Sequence, residues 1–252
     1  MRSLFFGLLN MVFPTHCAIC KGLSGSPLCS SCIDSFRRLE PPFCSRCGMP
    51  TGEKTSLCRR CARAEPSYEW ARSLYEYGGE VKKSIIAFKF QGKRELAEVL
   101  AALMTEYYEK ELAGESVDFI VPVPLHSERE LGRGFNQSLL LAEFIGIATG
   151  IPVSNKMIKR VRATETMNKL GRAQRFRNME GAFNVMDRSI VDGLQIMLID
   201  DVITTGATLD ECACTLKRCG AKRVICLTLA RTIRRKQHDG IFSPEEGKLH
   251  AL

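Results

Sequence analysis

The sequence predicts an α/β domain, built as a parallel sheet with flanking helices, preceded by a small cysteine-rich module. Three observations carry that prediction. Eight of the twelve cysteines lie before residue 62, in four Cys-x-x-Cys pairs. After about residue 66, apolar stretches with a helical repeat alternate with short buried runs, the pattern of a parallel sheet covered on both faces. One of those runs, MLIDDVITTGAT from Met197 to Thr208, passes straight into a glycine-threonine turn ahead of a helix. Ligands of parallel sheets bind at such strand ends.

Taken from the N-terminus, MRSLFFGLLNMVF is apolar over a run far shorter than the ~20 residues a membrane helix needs. It carries no small-residue cleavage site before Cys17. It reads as a short amphipathic helix packed on the following module, with a peripheral membrane contact as the lesser reading. The expected location is therefore the cytoplasm, where paired cysteines signify metal more often than disulfides.

The pairs are Cys17/Cys20, Cys29/Cys32, Cys44/Cys47 and Cys58/Cys61. A two-residue gap lets both thiolates of one tight turn reach a single zinc ion, and two such turns complete a tetrahedron. The eight- and ten-residue gaps within the two halves suit small zinc ribbons. Eight thiolates make two closed sites, so both zinc ions are expected to be structural. Sequential pairing is the simplest arrangement, and an interleaved one remains open at this level. The segment is too short and polar for a core of its own, so metal must supply folding energy. Pro41-Pro42 reads as a stiff connector between the ribbons. Cys212, Cys214 and Cys219 fall on a predicted helix and read as small packing residues.

The α/β region reads in order as a helix from Glu80 to Phe90 broken by Gly92 and an amphipathic helix through Leu96, Leu100, Leu103 and Tyr107. A strand from Phe119 ends in prolines, and a helix from Phe135 to Thr149 is stopped by Gly150. A brief strand, Ile151-Pro-Val, follows. Then come a buried strand over Ile196–Ile199, a helix from Leu209 to Cys219 and a strand from Arg223 to Leu229. The expected organisation is 1–66 for the N-terminal helix and double zinc ribbon, 67–233 for the α/β domain, and 234–252 for a mobile tail.

Composition is that of a globular protein, 45% hydrophobic and 25% charged, with a net charge of +8. The charge is local. Residues 156–178 hold eight basic side chains against the single acid Glu165, a net +7. That concentration favours an anion-binding site over a generally basic surface. Two chemistries are excluded by motif. His126-Ser127-Glu128 lacks the downstream Pro-Cys-x-x-Cys of a zinc deaminase. The acid-ended strand lacks the Gly-x-x-x-x-Gly-Lys loop of a nucleoside triphosphatase.

MLIDDVITTGAT combines two opposed chemistries. A strand-to-helix turn offers backbone N–H groups to an anion, Gly206 permits close approach, and Thr204, Thr205 and Thr208 add hydroxyls. Asp200 and Asp201 cannot assist a phosphate, but they can hold vicinal hydroxyls or Mg²⁺. A ribose 5-phosphate satisfies both halves.

This stretch closely resembles the phosphoribosyl-pyrophosphate motif of type I phosphoribosyltransferases. Together with DFIVPVPLHSERELGRGFNQSLLLA and VRATETMNKLGRAQRFRNMEGAF, it is similar to the ComF family of competence-associated proteins, which also place cysteine pairs before a phosphoribosyltransferase-like domain. The resemblance runs to about Arg231. It implies that Asp200 and Asp201 take the ribose hydroxyls, with Mg²⁺, and that Thr204, Thr205, Gly206, Ala207 and Thr208 wrap the 5-phosphate. Val123, Pro124, Leu125 and His126 would form the pyrophosphate turn. Arg162 to Arg177, including Arg172 and Arg175, would be a flexible loop closing over the site. Lys89, Arg133 and Asn136 are further candidates for pyrophosphate or DNA phosphate, although Asn136 also suits a helix cap. Met167 departs from the pattern, since the family usually has glutamine there.

The resemblance implies a protein that binds phosphoribosyl pyrophosphate, or a similar ribose phosphate, and handles single-stranded DNA during uptake, with DNA-uptake proteins as partners. The basic segment, with Phe176 and Phe183 beside it, fits that reading. The alternatives are an active Mg²⁺-dependent phosphoribosyltransferase acting on a nucleobase or related nitrogen acceptor, and a non-catalytic sensor of the same ligand.

Overall fold

The computed structural model describes residues 15–51, 57–164 and 171–233, with Arg172 described by its backbone alone. The N-terminal apolar segment, Met167 and the C-terminal tail lie outside the described residues. The cysteine module holds two short helices, α1 (Ser30–Asp34) and α2 (Arg59–Arg63). There follow β1 (Trp70–Glu76), α3 (Gly79–Phe90), α4 (Leu96–Glu111), β2 (Phe119–Pro122), α5 (Ser127–Arg133) and α6 (Gln137–Thr149). The chain closes with β3 (Lys159–Arg160), α7 (Arg172–Met179), β4 (Phe183–Asn184), β5 (Gln195–Ile203), α8 (Ala207–Arg218) and β6 (Arg223–Arg231).

The main sheet runs β1-β6-β5-β2, with every pairing parallel. β3 and β4 form a separate antiparallel pair. Strand residues alternate between the two faces. Met197, Ile199, Ile225 and Leu227 pack with Leu100 and Met104 of α4 and Leu141 and Ile145 of α6. Ile196, Leu198, Val224 and Cys226 pack with Leu209, Cys212 and Leu216 of α8. With both faces covered, β5 and β6 read as continuous apolar runs.

Apart from the Ile151-Pro-Val strand, the elements expected of the sheet domain are present, with shifted ends. The Asn136 side chain accepts hydrogen bonds from the Ser138 and Leu139 amides, so α6 begins at Gln137 rather than Phe135. Ile151-Pro-Val contributes one bridge, Val153 to Ile120. The flexible-loop expectation for Arg162 to Arg177 needs amending at its C-terminal end, because Arg172–Met179 is helical. Cys212 and Cys226 are core residues, and Cys219 packs beside them.

The cysteines settle into Cys17/Cys20/Cys29/Cys32 and Cys44/Cys47/Cys58/Cys61, each with its sulfur atoms within 4.8 Å of one another. Pairing is therefore sequential, and both sets fit a closed zinc site. In the second set, a hydrogen bond with Cys61 outweighs burial and, helped by the charges of Arg60 and Arg231, holds the Cys47 thiol well below its usual range.

Both ribbons are joined to the sheet domain. The first places Cys17, Leu28 and Phe36 in the same core as Tyr75, with the Phe36 and Tyr75 rings edge to face at 5.2 Å. The second is seated on β1, where the Ala71 amide donates to the Arg46 carbonyl at 2.7 Å. Gly48, at φ +67°, lies so close that an added Cβ would stand 2.3 Å from the Ala71 carbonyl oxygen. Arg231, fully buried, donates to the Cys47 carbonyl from the end of β6.

Candidate functional site

β5 and β2 are sheet neighbours, so their carboxyl ends open onto one place. A cavity of about 630 Å³ lies there. Asp200, Asp201, Thr204 and Thr208 form one wall, and Val123, Pro124 and Leu125 form the turn beside it. Lys89 of α3, Arg129 and Arg133 of α5 and Arg160 of β3 supply cationic groups from three other segments.

The two aspartates differ, as successive strand residues must. Asp201 is 2% exposed and ion-paired with Lys89. Asp200 Oδ1 accepts from the Ser138 hydroxyl and from the Asp201 amide, each at 2.9 Å. Burial, followed by the charge of Asp201, pushes the Asp200 carboxyl up to about 7. The support continues outward. Asn136 caps α6, holds Ser138 by its amide, and donates from Nδ2 to the Val123 carbonyl at 3.2 Å. One asparagine thus fixes both the β2 turn and the serine that orients Asp200.

The cationic wall is partly desolvated. Arg133 bonds Gln137 and lies over the Phe90 ring at 5.0 Å, and burial lowers its affinity for a proton. Arg160 bonds Thr164 and lies 5.6 Å over Phe183, while burial and then the charge of Arg129 bring its pKa down to about 10. Both remain cations at neutral pH. Being desolvated, they attract an anion more strongly than surface arginines would.

The Thr204–Thr208 turn has two sides. Thr204 and Thr208 face the cavity, whereas Gly206 lines a second crevice of about 620 Å³ behind the turn. That crevice lies between Arg59, Arg60 and Arg63 of the second ribbon and Phe176 of α7. Arg60 spans it and donates to the Thr205 carbonyl. Gly206 has φ +85° and starts α8, a conformation that favours glycine.

Of the expected residues, Lys89, Val123, Pro124, Leu125, Arg133, Asp200, Asp201, Thr204 and Thr208 line one cavity. Thr205 and Ala207 are buried within the turn. His126 precedes α5, with Nδ1 3.7 Å from Glu128. Arg162 donates to the Asn178 and Glu180 carbonyls at 3.0 and 2.6 Å, bracing the end of α7. Arg175 and Arg177 lie on α7, outside the cavity wall. Arg129, Arg160, Ser138 and Arg60 were not singled out by the sequence. Arg160 had a signal in the basic segment, and Ser138 had one in its proximity to Asn136.

Residues 8–62 match the family model of the double zinc ribbon domain. Residues 142–244 match that of the phosphoribosyl transferase domain. The DNA utilization protein YhgH of Salmonella typhi is 35% identical over 231 residues, covering 88% of this chain and all of that protein. Competence protein F of Haemophilus influenzae is 30% identical over 226 residues, 87% of this chain and 98% of that one. Competence protein ComFC of Bacillus subtilis is 31% identical over 212 residues, covering 81% and 84%. Similarity of this extent spans the cysteine module and the sheet domain alike, and the chain belongs to the ComF family of competence-associated proteins.

Proposed function

We propose that this protein binds phosphoribosyl pyrophosphate, or a closely similar ribose 5-phosphate, in the cavity at the ends of β2 and β5, and handles single-stranded DNA during its uptake. One observation carries the first half. The acid pair and the threonine turn share a cavity with four cations, matching a ligand with a diol in the middle and phosphate at both ends. The turn receives the 5-phosphate through its amides and hydroxyls. Asp200 and Asp201 accept from the ribose hydroxyls, and Lys89 and Arg133 face the pyrophosphate. The acid pair also fits Mg²⁺, since Lys89 already occupies a position where it demands positive charge. Mg²⁺ bound with the ligand would neutralise pyrophosphate charge. Thermal unfolding with phosphoribosyl pyrophosphate and Mg²⁺ tests this directly. A clear rise in midpoint is expected, and no shift at millimolar ligand would overturn the assignment.

The raised pKa of Asp200 gives the binding a pH dependence. The folded carboxyl titrates near 7, above the ~3.9 of an unfolded aspartate. Ionising it therefore costs the ligand-free protein stability as pH rises from about 4 to about 7. The ligand requires the ionised form, so affinity should climb from pH 6 to pH 8, by up to about tenfold per unit below 7. Calorimetry in buffers of different ionisation enthalpy should record proton release at pH 6. A flat or inverted profile would show that Asp200 does not contact the ligand.

The DNA half is supported by the second crevice, which exposed Arg59 and Arg63 line together with Phe176. α7 adds Arg175 and Arg177 to the same basic region. Phosphate contacts plus an aromatic face are the elements of sequence-tolerant strand binding. Replacing Arg172, Arg175 and Arg177 with alanine should weaken single-stranded DNA binding and flatten its log–log salt slope by about 2, at ~0.7 per lost contact. Unchanged affinity in that variant would remove this half of the proposal.

A further inference from the structure

We infer that Arg60 is a positioning residue for the phosphate turn, rooted in the second zinc ribbon, so that zinc occupancy of that ribbon and ligand affinity of the sheet cavity rise and fall together. The inference rests on the reading of the Thr204–Thr208 turn as a phosphate cradle.

Arg60 sits between two zinc thiols. It follows Cys58 and precedes Cys61 in α2, so metal ligation on either side fixes its backbone. Its side chain leaves the ribbon and is held on the way. Nη2 lies 3.3 Å from the hydroxyl of Tyr68, which is 1% exposed, and 3.7 Å from the Cys61 sulfur. Nη1 then donates to the Thr205 carbonyl. A second tie runs parallel to it, from the Ser67 amide to Asp210 Oδ1 in the first turn of α8, at 2.6 Å.

The Thr205 contact determines which way one peptide unit faces. In a trans peptide the C=O and the following N–H point in opposite directions. Arg60 draws the Thr205 oxygen into the crevice on the ribbon side. The Gly206 N–H must then point away from the ribbon, towards the side where Thr204 and Thr208 face the cavity. Gly206 has no Cβ to restrict rotation, and its φ of +85° belongs to the region only glycine enters freely. Without Arg60 the unit can turn and present a carbonyl oxygen to an incoming phosphate. Packing also favours glycine here, since a Cβ on Gly206 would stand 3.2 Å from Arg60 Nη1 and 3.3 Å from the Tyr68 hydroxyl.

The first ribbon supplies an internal control. Its cysteines pack towards Leu74 and Tyr75, and among the described residues none of its hydrogen bonds reaches the turn.

The test uses the full-length, zinc-loaded protein with Arg60→Met and Arg60→Lys. Both variants should keep two zinc ions. Hydrogen exchange at residues 204–208, measured without ligand, should accelerate at least tenfold in the methionine variant and less in the lysine variant, which retains a donor. Affinity for phosphoribosyl pyrophosphate should fall at least tenfold in Arg60→Met, with partial rescue by lysine. In the unmodified protein, saturating phosphoribosyl pyrophosphate with Mg²⁺ should slow chelator-driven zinc loss, mapped by cysteine alkylation, at Cys44, Cys47, Cys58 and Cys61 only. Arg60→Met should erase that protection. Equal protection of both cysteine sets, or unchanged turn exchange in a zinc-replete Arg60→Met variant, would overturn the inference. If the unmodified protein binds no phosphoribosyl pyrophosphate, the proposed function fails while the exchange measurement still decides the role of Arg60.

Discussion

Replacing Asp200 and Asp201 together with asparagine should abolish the thermal stabilisation given by phosphoribosyl pyrophosphate and Mg²⁺, while leaving the ligand-free fold intact or slightly more stable. The two effects separate because the acid pair is costly in the empty protein. Asp200 is pushed up to about 7 by burial and by Asp201, so its ionised form is disfavoured at neutral pH. An amide removes that penalty and can still accept the Ser138 hydrogen bond. The ligand loses charged acceptors for its hydroxyls, each worth roughly 1.5–3 kcal/mol. Two such losses weaken binding by about a hundredfold or more. Lys89 loses its ion-pair partner in the same variant and becomes an unpaired, partly buried cation. Part of any destabilisation should therefore trace to Lys89, and Lys89→Met in the asparagine background should restore it. Stabilisation by ligand that persists in the double variant would place the site elsewhere.

The second large effect concerns metal. Elemental analysis should find two zinc ions per chain, and Cys44→Ser should leave one. The buried cluster at the heart of the second ribbon consists of Cys44, Cys47 and Cys61, with Met49 and Cys58 packed against it. A cluster of thiols is no hydrophobic core, so the metal is the core. Structural zinc sites of this kind supply on the order of 10–16 kcal/mol of apparent binding energy at neutral pH. Losing one should unfold the second ribbon locally and release its seat on Ala71 and its contact with Arg231. The first ribbon shares the main core through Leu28 and Phe36, and it should tolerate metal loss better. A wild-type content of one or none, or two ions retained in Cys44→Ser, would refute the double site.

What the sequence revealed and what it hid divide along a physical line. Ile196–Ile199 announced a buried strand because burial on both faces leaves no alternation to blur. The cysteine pairs announced their metals because coordination fixes spacing. β1 was not legible, since WARSLYE contains polar groups whose partners lie far along the chain. Ser73 bonds the Thr228 hydroxyl at 2.7 Å, and Arg72 lies 5.3 Å over the Trp70 ring. The acids and threonines of the site were legible because strand, turn and helix are contiguous there. Its cations were less so. Lys89 and Arg133 were named, but Arg129 and Arg160 reach the cavity through folding alone. Arg60 read as a spacer inside Cys-x-x-Cys, and only the seating of the ribbon brings it to Thr205.

The strand order has a consequence for how the chain assembles. β1 lies at the sheet edge, and among the described residues its one strand partner is β6, with Trp70 opposite Ile225 and Glu76 opposite Arg231. Of the described strands, the first to be synthesised must therefore wait for the last. Arg231 then reaches back past the sheet to Cys47, and the Tyr77 amide donates to the Arg231 carbonyl at 2.7 Å. Closing so long a loop is entropically costly and slow relative to local contacts. The C-terminal end of β6 works as a clasp, joining the sheet edge and the second ribbon in a single late event, so neither reaches its final rigidity before β6 has been made.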